Sequence, residues 1–224
     1  MKQPETGDGL SSLEDSGAGQ SIGVLDLQGG VAEHMRMLEA CGVAAVAVRV
    51  AADLADLDGL ILPGGESTTI CKLIVSRGLL RPLVEFAKSG RPIFGTCAGL
   101  VIMGDSLGGA CVTNGLIQLG LIDVKIKRNG YGRQLDSFEA DVRAGILGKE
   151  PVQAIFIRAP LVEDVGGNCE VLAKFEGKPV MVRRGPFLAT AFHPELGRDP
   201  RIHKLFLDMV AQPLSVSPSR VRRR

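Results

Sequence analysis

The apolar residues in the first half of the chain follow two patterns. Short apolar runs are typical of parallel strands buried on both faces, and apolar residues three and four positions apart are typical of helices. The two patterns alternate, which predicts a parallel sheet with right-handed crossovers and helices on both faces. The predicted strands are 22–25, 44–50, 59–62 and the apolar run before Cys97, and the predicted helices are 31–40, 68–75, 81–88 and one beginning near Leu100.

The second half of the chain is richer in predicted strands, several of which we expect to be antiparallel. It is preceded by an uncharged stretch, 106–122, whose four glycines and polar residues make it a poor membrane span. We predict a loop there that leads into a strand. The predicted fold is therefore α/β, a three-layer sandwich with a mostly parallel central sheet flanked by helices and a β-rich C-terminal half. The later predicted elements are strands at 121–126, 138–142, 153–158, 170–175, 179–182 and 186–192, and a closing helix at 200–210.

Two tails flank a single predicted domain, 21–212. Residues 1–20 are rich in Gly, Ser, Asp and Glu, which predicts a disordered N-terminal tail. Residues 213–224 form a basic tail in which four of the last five residues are Arg. We expect this C-terminal tail to be flexible and solvated, although an acidic partner would be an alternative role for it.

Composition excludes several classes of protein. The net charge of the 224-residue chain is +1, which gives no electrostatic basis for binding nucleic acid or a membrane. Its five cysteines include no Cys-x-x-Cys pair, which argues against a disulfide framework or structural zinc and favours the cytoplasm. There is no signal-peptide pattern at the start. Phosphate-binding and dinucleotide-binding glycine motifs are also missing from the sequence, and its three scattered histidines include no His-x-x-x-His pair, so we expect neither a cofactor nor a metal.

Cys97 is the first candidate catalytic residue. It lies in a Gly-x-Cys-x-Gly motif between a predicted strand and a predicted helix, the setting of a nucleophile elbow. A thiol at a helix N-terminus is favoured as the thiolate, which is the reactive form. On this segment alone, a buried structural cysteine beside turn glycines is an equal alternative.

A second motif favours the catalytic interpretation. His193 and Glu195 follow the predicted strand 186–192. The carboxyl ends of parallel strands meet at one edge of a sheet, so we expect both residues near Cys97. His193 could then exchange a proton with the thiol and a leaving amine, and Glu195 could fix its tautomer.

Other polar positions are less specific. The loop 63–67 could supply N–H groups to an oxyanion, or it could be a plain turn with Ser67 as the N-cap of the next helix. Arg128 and Arg158 end predicted strands and could bind a substrate carboxylate. We expect His34 and His203, on predicted helices, to be surface or packing residues.

These motifs resemble a known family. Gly-Thr-Cys-Ala-Gly-Leu at 95–100 and Phe-His-Pro-Glu-Leu at 192–196 are similar to class I glutamine amidotransferases, the Cys-His-Glu glutaminases. Four further strings narrow the resemblance to the glutaminase subunits of pyridoxal 5′-phosphate synthase, the PdxT/SNO family. They are Leu27-Gln28-Gly29 with Glu33-His34, the segment 62–69, Arg128-Asn129 with 132–139, and the segment 156–160. The resemblance spans about residues 22–210, with the motifs in the family's order.

The resemblance implies a flavodoxin-like class I glutaminase fold and hydrolysis of L-glutamine to L-glutamate and ammonia. The ammonia would pass to a synthase subunit (PdxS) within a large hetero-oligomer, where it is joined with a pentose phosphate and a triose phosphate. By motif, the implied roles are Cys97, His193 and Glu195 as the triad, Gly65, Glu66, Ser67, Arg128, Ile157 and Arg158 as glutamine-binding residues, backbone N–H groups at Gly65 and Ala98 for the oxyanion, and Gln28, Gly29 and Gly30 at the partner interface. Asp26 departs from the family, which more often has a small residue there.

Two alternatives remain open on the sequence. One is a glutaminase subunit of another amidotransferase, serving imidazole or purine synthesis, although such relatives lack the segment 156–160. The other is a non-enzymatic, chaperone-like relative with a Cys elbow. Such a protein would have no reason to keep His193 and Glu195 at this spacing.

Overall fold

The computed structural model describes residues 19–104, 110–113, 115–128, 130 and 137–212. Nearly all of the two predicted tails, 1–18 and 213–224, lies outside the described residues. The domain boundaries therefore stay predictions.

The centre of the fold is a mixed sheet with seven strands among the described residues. In their order across the sheet they are β11 (Glu170–Phe175), β12 (Lys178–Arg184), β13 (Phe187–Thr190), β4 (Ile93–Thr96), β3 (Gly59–Leu62), β1 (Ile22–Leu25) and β2 (Ala45–Val48). Five of these strands run parallel to one another, and β12 and β11 continue the sheet in antiparallel fashion beside β13. The inner parallel strands β1, β3 and β4 are buried along their whole length, as their continuous apolar runs predict.

Helices connect and cover the parallel strands. Most of them present buried apolar residues on one side, such as Leu83 and Phe86 of the third helix and Phe206 of the last, whereas the short helix after Cys97 is buried on all sides. The predicted α/β fold with a mostly parallel sheet is confirmed. The helices in the described part of the chain are α1 (Val31–Ala40), α2 (Ser67–Ser76), α3 (Leu80–Lys88), α4 (Ala98–Met103) and α5 (Arg201–Ala211), with short 3₁₀ turns at Ala51–Leu54, Gly145–Leu147 and Pro194–Leu196. None of these helices is long and apolar enough to cross a membrane.

Along the chain, the described strands between α4 and β11 form antiparallel pairs. The prediction of antiparallel strands in this half is confirmed. The pairs are β5 (Cys111–Thr113) with β6 (Leu116–Gln118), β7 (Val124–Lys127) with β10 (Leu161–Val165), and β8 (Ser137–Val142) with β9 (Val152–Ile157).

Three details of the sequence-based prediction for this region were wrong. The described part of 106–122 contains the β5–β6 hairpin rather than only a loop. The strand predicted to begin at Leu121 begins at Val124, because the N–H groups of Leu121 and Ile122 both donate to the carbonyl of Met103 at the end of α4 (2.9 and 3.1 Å). The sequence analysis missed β10, whose Glu163 and Asp164 interrupt its apolar pattern.

The carboxyl ends of the parallel strands define one edge of the sheet. Cys97 follows β4, the segment 63–66 follows β3, and His193 comes shortly after β13. The topology therefore brings the three candidate catalytic segments to the same edge, where open α/β sheets bind ligands.

Candidate active site

Cys97 occupies a strained position at the start of α4. Its backbone has φ 48° and ψ −98°, and its N–H donates to the carbonyl of Thr190 (2.8 Å). A positive φ at a residue other than glycine costs about 1–3 kcal/mol and is found mostly where function requires it. The side chain is 7% exposed, and its Sγ lies 3.8 Å from the carbonyl oxygen of Ile157. The turn holds the thiol at the sheet edge in the orientation of a nucleophile elbow.

His193 and Glu195 lie beside Cys97 on the short segment after β13. The N–H of His193 donates to the carbonyl of Ile155 (2.8 Å), which fixes the backbone of this segment. The imidazole Nδ1 and Glu195 Oε1 are 2.7 Å apart, and both side chains are buried. Glu195 can therefore hold the histidine in one tautomer, with Nε2 directed to other partners.

The surroundings of His193 favour its protonated form. Burial alone would lower the pKa of His193, but hydrogen bonds to Cys97 and Glu195 and the charges of these groups outweigh it. Together they raise the pKa of His193 to about 10. A histidine that is cationic at neutral pH next to a cysteine matches the pairing that activates cysteine nucleophiles.

The segment after β3 lies against this triad. The N–H of Gly64 donates to Thr96 Oγ1 (2.9 Å), and the carbonyl of Gly64 accepts from the N–H of Gly30 (3.0 Å). A Cβ atom at Gly64 would lie 2.3 Å from Cε1 of His193, so only glycine fits there. Within the described part of the chain, the N–H groups of Gly65 and Ala98 have no hydrogen-bond acceptor. Both N–H groups are therefore available to a ligand.

Glu66, not Ser67, is the N-cap of α2. Its carboxylate accepts from the N–H of Thr69 (2.7 Å), and this hydrogen bond, the largest cause, lowers the pKa of Glu66. The Ser67 N-cap considered from the sequence is therefore wrong, since Ser67 is already the first residue of the helix. The other carboxylate oxygen of Glu66 lies 3.7 Å from Nη2 of Arg128.

A cavity of about 190 Å³ opens above Cys97. Most of the residues predicted for the site line it, although they come from distant parts of the chain. Glu195, Gly29 and Gly30 are not among its lining residues; Glu195 lies beside His193, and the glycines lie beside the 64–66 segment. The predicted residues that line the cavity are Gln28, Gly65, Glu66, Ser67, Cys97, Ala98, Arg128, Ile157, Arg158 and His193.

The two arginines stand on the open side of this cavity. Arg158 has φ 42° directly after β9 and makes no ion pair with any described residue. Arg158 and Arg128 are both exposed, and Nη2 of Arg128 is 3.4 Å from Thr68 Oγ1. Both guanidinium groups can therefore reach an anionic group in the cavity.

A buried polar cluster behind the triad was not predicted from the sequence. His34 and His203 are fully buried, so they are not surface residues; they pack in the interior and are hydrogen-bonded to each other (2.9 Å). Nε2 of His34 lies 3.1 Å from Thr96 Oγ1 and 3.5 Å from Glu195 Oε2. The only sequence signal was the presence of His34 in the motif 27–34.

Two further expectations concern metals and Asp26. Among the described residues, no cluster of His, Cys, Asp and Glu is arranged to hold a metal ion. Asp26, the departure from the family pattern, accepts a hydrogen bond from Nε of Arg49 (2.6 Å) at the ends of β1 and β2. Its charge is therefore compensated within the chain.

Solved structures share this fold. A structure described as a glutamine amidotransferase superposes with a TM-score of 0.77 at 39% identity, covering 85% of this chain and 99% of that one. PurLQS from Thermotoga maritima superposes with a TM-score of 0.60 at 14% identity, over 84% of this chain and 97% of that one, which shows the fold alone. The fold is that of the glutamine amidotransferases.

Sequence comparisons identify the family. Residues 24–212 match the SNO glutamine amidotransferase family, and the chain belongs to that family. It is 49% identical to the pyridoxal 5′-phosphate synthase subunit PdxT of Pelotomaculum thermopropionicum, over 84% of this chain and 93% of the relative. It is 51% identical to the PdxT subunit of Brevibacillus brevis, over 85% and 97%. The assignment made from the sequence, a glutaminase subunit of pyridoxal 5′-phosphate synthase, is thereby confirmed.

Proposed function

We propose that this chain hydrolyses L-glutamine in the cavity above Cys97 and delivers the ammonia to a synthase subunit that makes pyridoxal 5′-phosphate. The observation that carries the proposal is the strained Cys97 turn beside the buried His193–Glu195 pair. A chaperone-like protein would need neither the strain nor the buried carboxylate.

In the proposed mechanism Cys97 is the nucleophile. Its thiolate attacks the side-chain amide carbon of glutamine, and a tetrahedral intermediate forms. His193 gives a proton to the departing nitrogen, which leaves as ammonia, and a thioester to Cys97 remains. Water then attacks the thioester with His193 as the base, releasing L-glutamate and restoring the thiol.

The oxyanion of the intermediate is assigned to the N–H groups of Gly65 and Ala98. Support comes from their availability, since neither N–H has an acceptor among the described residues. Ala98 also begins α4, so its N–H lies at the positive end of that short helix. In acyl-transfer enzymes, removing one such fixed hydrogen-bond donor to the oxyanion raises the activation free energy by roughly 2.7–4 kcal/mol.

The amino-acid end of glutamine is assigned to the open side of the cavity. Arg128 and Arg158 would bind the α-carboxylate, and Glu66, Ser67 and Ile157 line the same space. Charge-assisted hydrogen bonds of this kind contribute about 1.5–3 kcal/mol.

We assign the partner interface to the turn formed by Gln28, Gly29 and Gly30. This turn is hydrogen-bonded directly to residues 64–66, the oxyanion segment, which contains the proposed donor Gly65. Gln28 Oε1 accepts from the N–H of Glu66 (2.8 Å), and the N–H of Gly30 donates to the carbonyl of Gly64 (3.0 Å). Gly29 has φ 111°, and a Cβ there would lie 1.8 Å from the carbonyl oxygen of Gly64. Gly29 is exposed, whereas Gln28 and Gly30 are half-buried, so a partner that presses on Gly29 would reorient the segment 64–66.

The expected consequence is that turnover depends on the partner. Free ammonia would be wasted, and a misaligned oxyanion donor would slow the isolated chain about a hundredfold or more. Glutamate production should rise as a synthase subunit is added at increasing ratio to the chain. Full activity of the isolated chain, with no response to the partner, would contradict this coupling.

We also place the protein in the cytoplasm, in a large hetero-oligomer with the synthase subunit. In the described part of the chain its cysteines form no disulfide, as a reducing compartment requires. Size-exclusion chromatography with light scattering on the mixed subunits tests the assembly. Two separate peaks at micromolar concentrations would count against it.

A further inference from the structure

The cluster of His34, Thr96 and His203 is not used by the proposed mechanism, yet it contacts the triad. His34 comes from α1, Thr96 from the end of β4 and His203 from α5. All three are 0% exposed, although burying polar side chains is costly unless they are hydrogen-bonded. Their burial next to Glu195 therefore calls for a function.

The carboxylate of Glu195 has two oxygens with different partners. Oε1 is bonded to His193 Nδ1 (2.7 Å), whereas Oε2 is buried and has no hydrogen bond of ordinary length within the described residues. Nε2 of His34 lies 3.5 Å from Oε2. This is longer than a usual N–H···O distance, but catalytic contacts often tighten only when the substrate binds.

The hydrogen-bond partners of His34 determine its tautomer. If Nε2 of His34 carried no proton, its lone pair would face the buried Glu195 oxygen. With the proton on Nε2, His34 donates toward both Glu195 Oε2 and Thr96 Oγ1, and its Nδ1 accepts from Nε2 of His203. Within the cluster, Nδ1 of His203 is then an unprotonated nitrogen without a partner among the described residues.

His34 stays neutral in this position. Burial, and then the nearby His203 and His193, lower the pKa of His34 well below its usual range, and burial lowers the pKa of His203 to about 3. A neutral donor can orient the Glu195 carboxylate without cancelling the charge that Glu195 presents to His193. A cationic group in the same place would weaken that interaction.

We propose that His34 is a positioning residue that holds Glu195 through Nε2 and, through Thr96, links the triad to the oxyanion segment. The link exists because Thr96 Oγ1 also accepts from the N–H of Gly64 (2.9 Å). One buried imidazole thus contacts both the Glu195 carboxylate, which orients the base His193, and Thr96, which anchors the Gly64 peptide. The inference rests on the proposed function, since it concerns the same reaction.

Two polar substitutions separate this role from simple packing. The amide of His34→Gln can place an N–H near the position of Nε2, toward Glu195, whereas the shorter His34→Asn reaches only the position of Nδ1, toward His203. Both are measured for glutamine hydrolysis in the assembled complex with the synthase subunit. Leu38→Ala, which opens a cavity at a fully buried apolar position of the same helix, controls for loss of stability.

We expect His34→Gln to keep kcat within about threefold of the wild type. His34→Asn should lower kcat by about tenfold to a hundredfold with KM little changed, the loss expected for a charge-assisted hydrogen bond. When Glu195→Gln is already present, adding His34→Asn should cost less than about threefold, because residues acting through one contact are not additive.

Three results would overturn the proposal: equal kcat for the Gln and Asn variants, a loss from Leu38→Ala as large as from His34→Asn, or the same fold-loss with and without Glu195→Gln. Absence of turnover by the wild-type complex would instead refute the proposed function. The two failures are therefore distinguishable.

Discussion

The candidate site has a buried side and an open side, and they are built differently. On the buried side, Cys97, His193 and Glu195 are 7%, 8% and 4% exposed and stand at the ends of β4 and β13. On the open side, the Arg128 side chain is 43% exposed, and its contact with Glu66 is a loose 3.7 Å. Arg158 is also exposed. The buried groups hold one another in place, whereas the arginines have few contacts that fix them.

The burial of one side and the exposure of the other predict different effects of substitutions on the two sides. Hydrogen bonds and charges act more strongly where water is excluded, whereas an exposed ion pair such as Arg128–Glu66 contributes only about 0–1 kcal/mol to holding its side chains in place. We therefore expect changes on the buried side to lower kcat and changes on the open side mainly to raise KM.

The largest effect is expected from Cys97→Ala. Without the thiolate no acyl-enzyme can form, so glutaminase activity should fall by roughly six orders of magnitude, to background. His193→Asn should be nearly as damaging, because members of a triad act as one unit. Cys71→Ala is a control, since Cys71 is buried on α2 and its Sγ accepts from the N–H of Ile117 (3.2 Å) away from the cavity.

A glutamine-analogue alkylator gives an independent measurement. Peptide mass mapping should find label on Cys97 and not on Cys41, Cys71 or Cys169. The pKa of each of these three thiols is raised by burial, which makes it less reactive. Even labelling of all the cysteines would be incompatible with an activated thiol at Cys97.

Gly64→Ala should come next in size. Its Cβ would lie 2.3 Å from Cε1 and 2.7 Å from Nδ1 of His193, so the imidazole must move. Misplacing a catalytic group by about 1 Å can cost about a hundredfold in rate. Gly145→Ala is the matched control, because nothing lies within 4 Å of its Cβ position. Comparable kcat values for the two variants would show that the buried side is not rigid.

The buried side was also the more predictable from the sequence. Cys97, His193 and Glu195 follow strand ends, and the parallel topology itself brings strand ends together. The contacts of His34 and His203 were not predictable, because helical periodicity shows which residues face inward but not which side chains from α1 and α5 meet. β10 was missed for a similar reason: its carboxylates face solvent on a strand that only its pairing with β7 defines.

Glu195→Gln should have a moderate effect. The amide can still accept from Nδ1 of His193, but the negative charge is lost, and we expect a loss of about tenfold to a hundredfold in kcat. Because the charge of Glu195 helps raise the pKa of His193 to about 10, loss of that charge lowers the pKa of His193. The alkaline limb of the pH profile of kcat should therefore move to lower pH. An unshifted limb with full activity would leave Glu195 as a structural residue only.

The smallest effects on kcat are expected on the open side, from Arg128→Ala and Arg158→Ala. Each removes a charge-assisted contact proposed for the glutamine α-carboxylate, and KM should rise by about tenfold to a hundredfold while kcat changes little. Arg81→Ala is a matched control, because Arg81 is exposed on α3 and its Nε donates to Glu85 (2.8 Å), outside the cavity. If both arginine variants kept wild-type kinetics, the carboxylate would be bound elsewhere. If both arginine variants lowered kcat as strongly as Gly64→Ala, the distinction between the buried side and the open side would fail. The arginines of the open side would then be setting the geometry of the reaction.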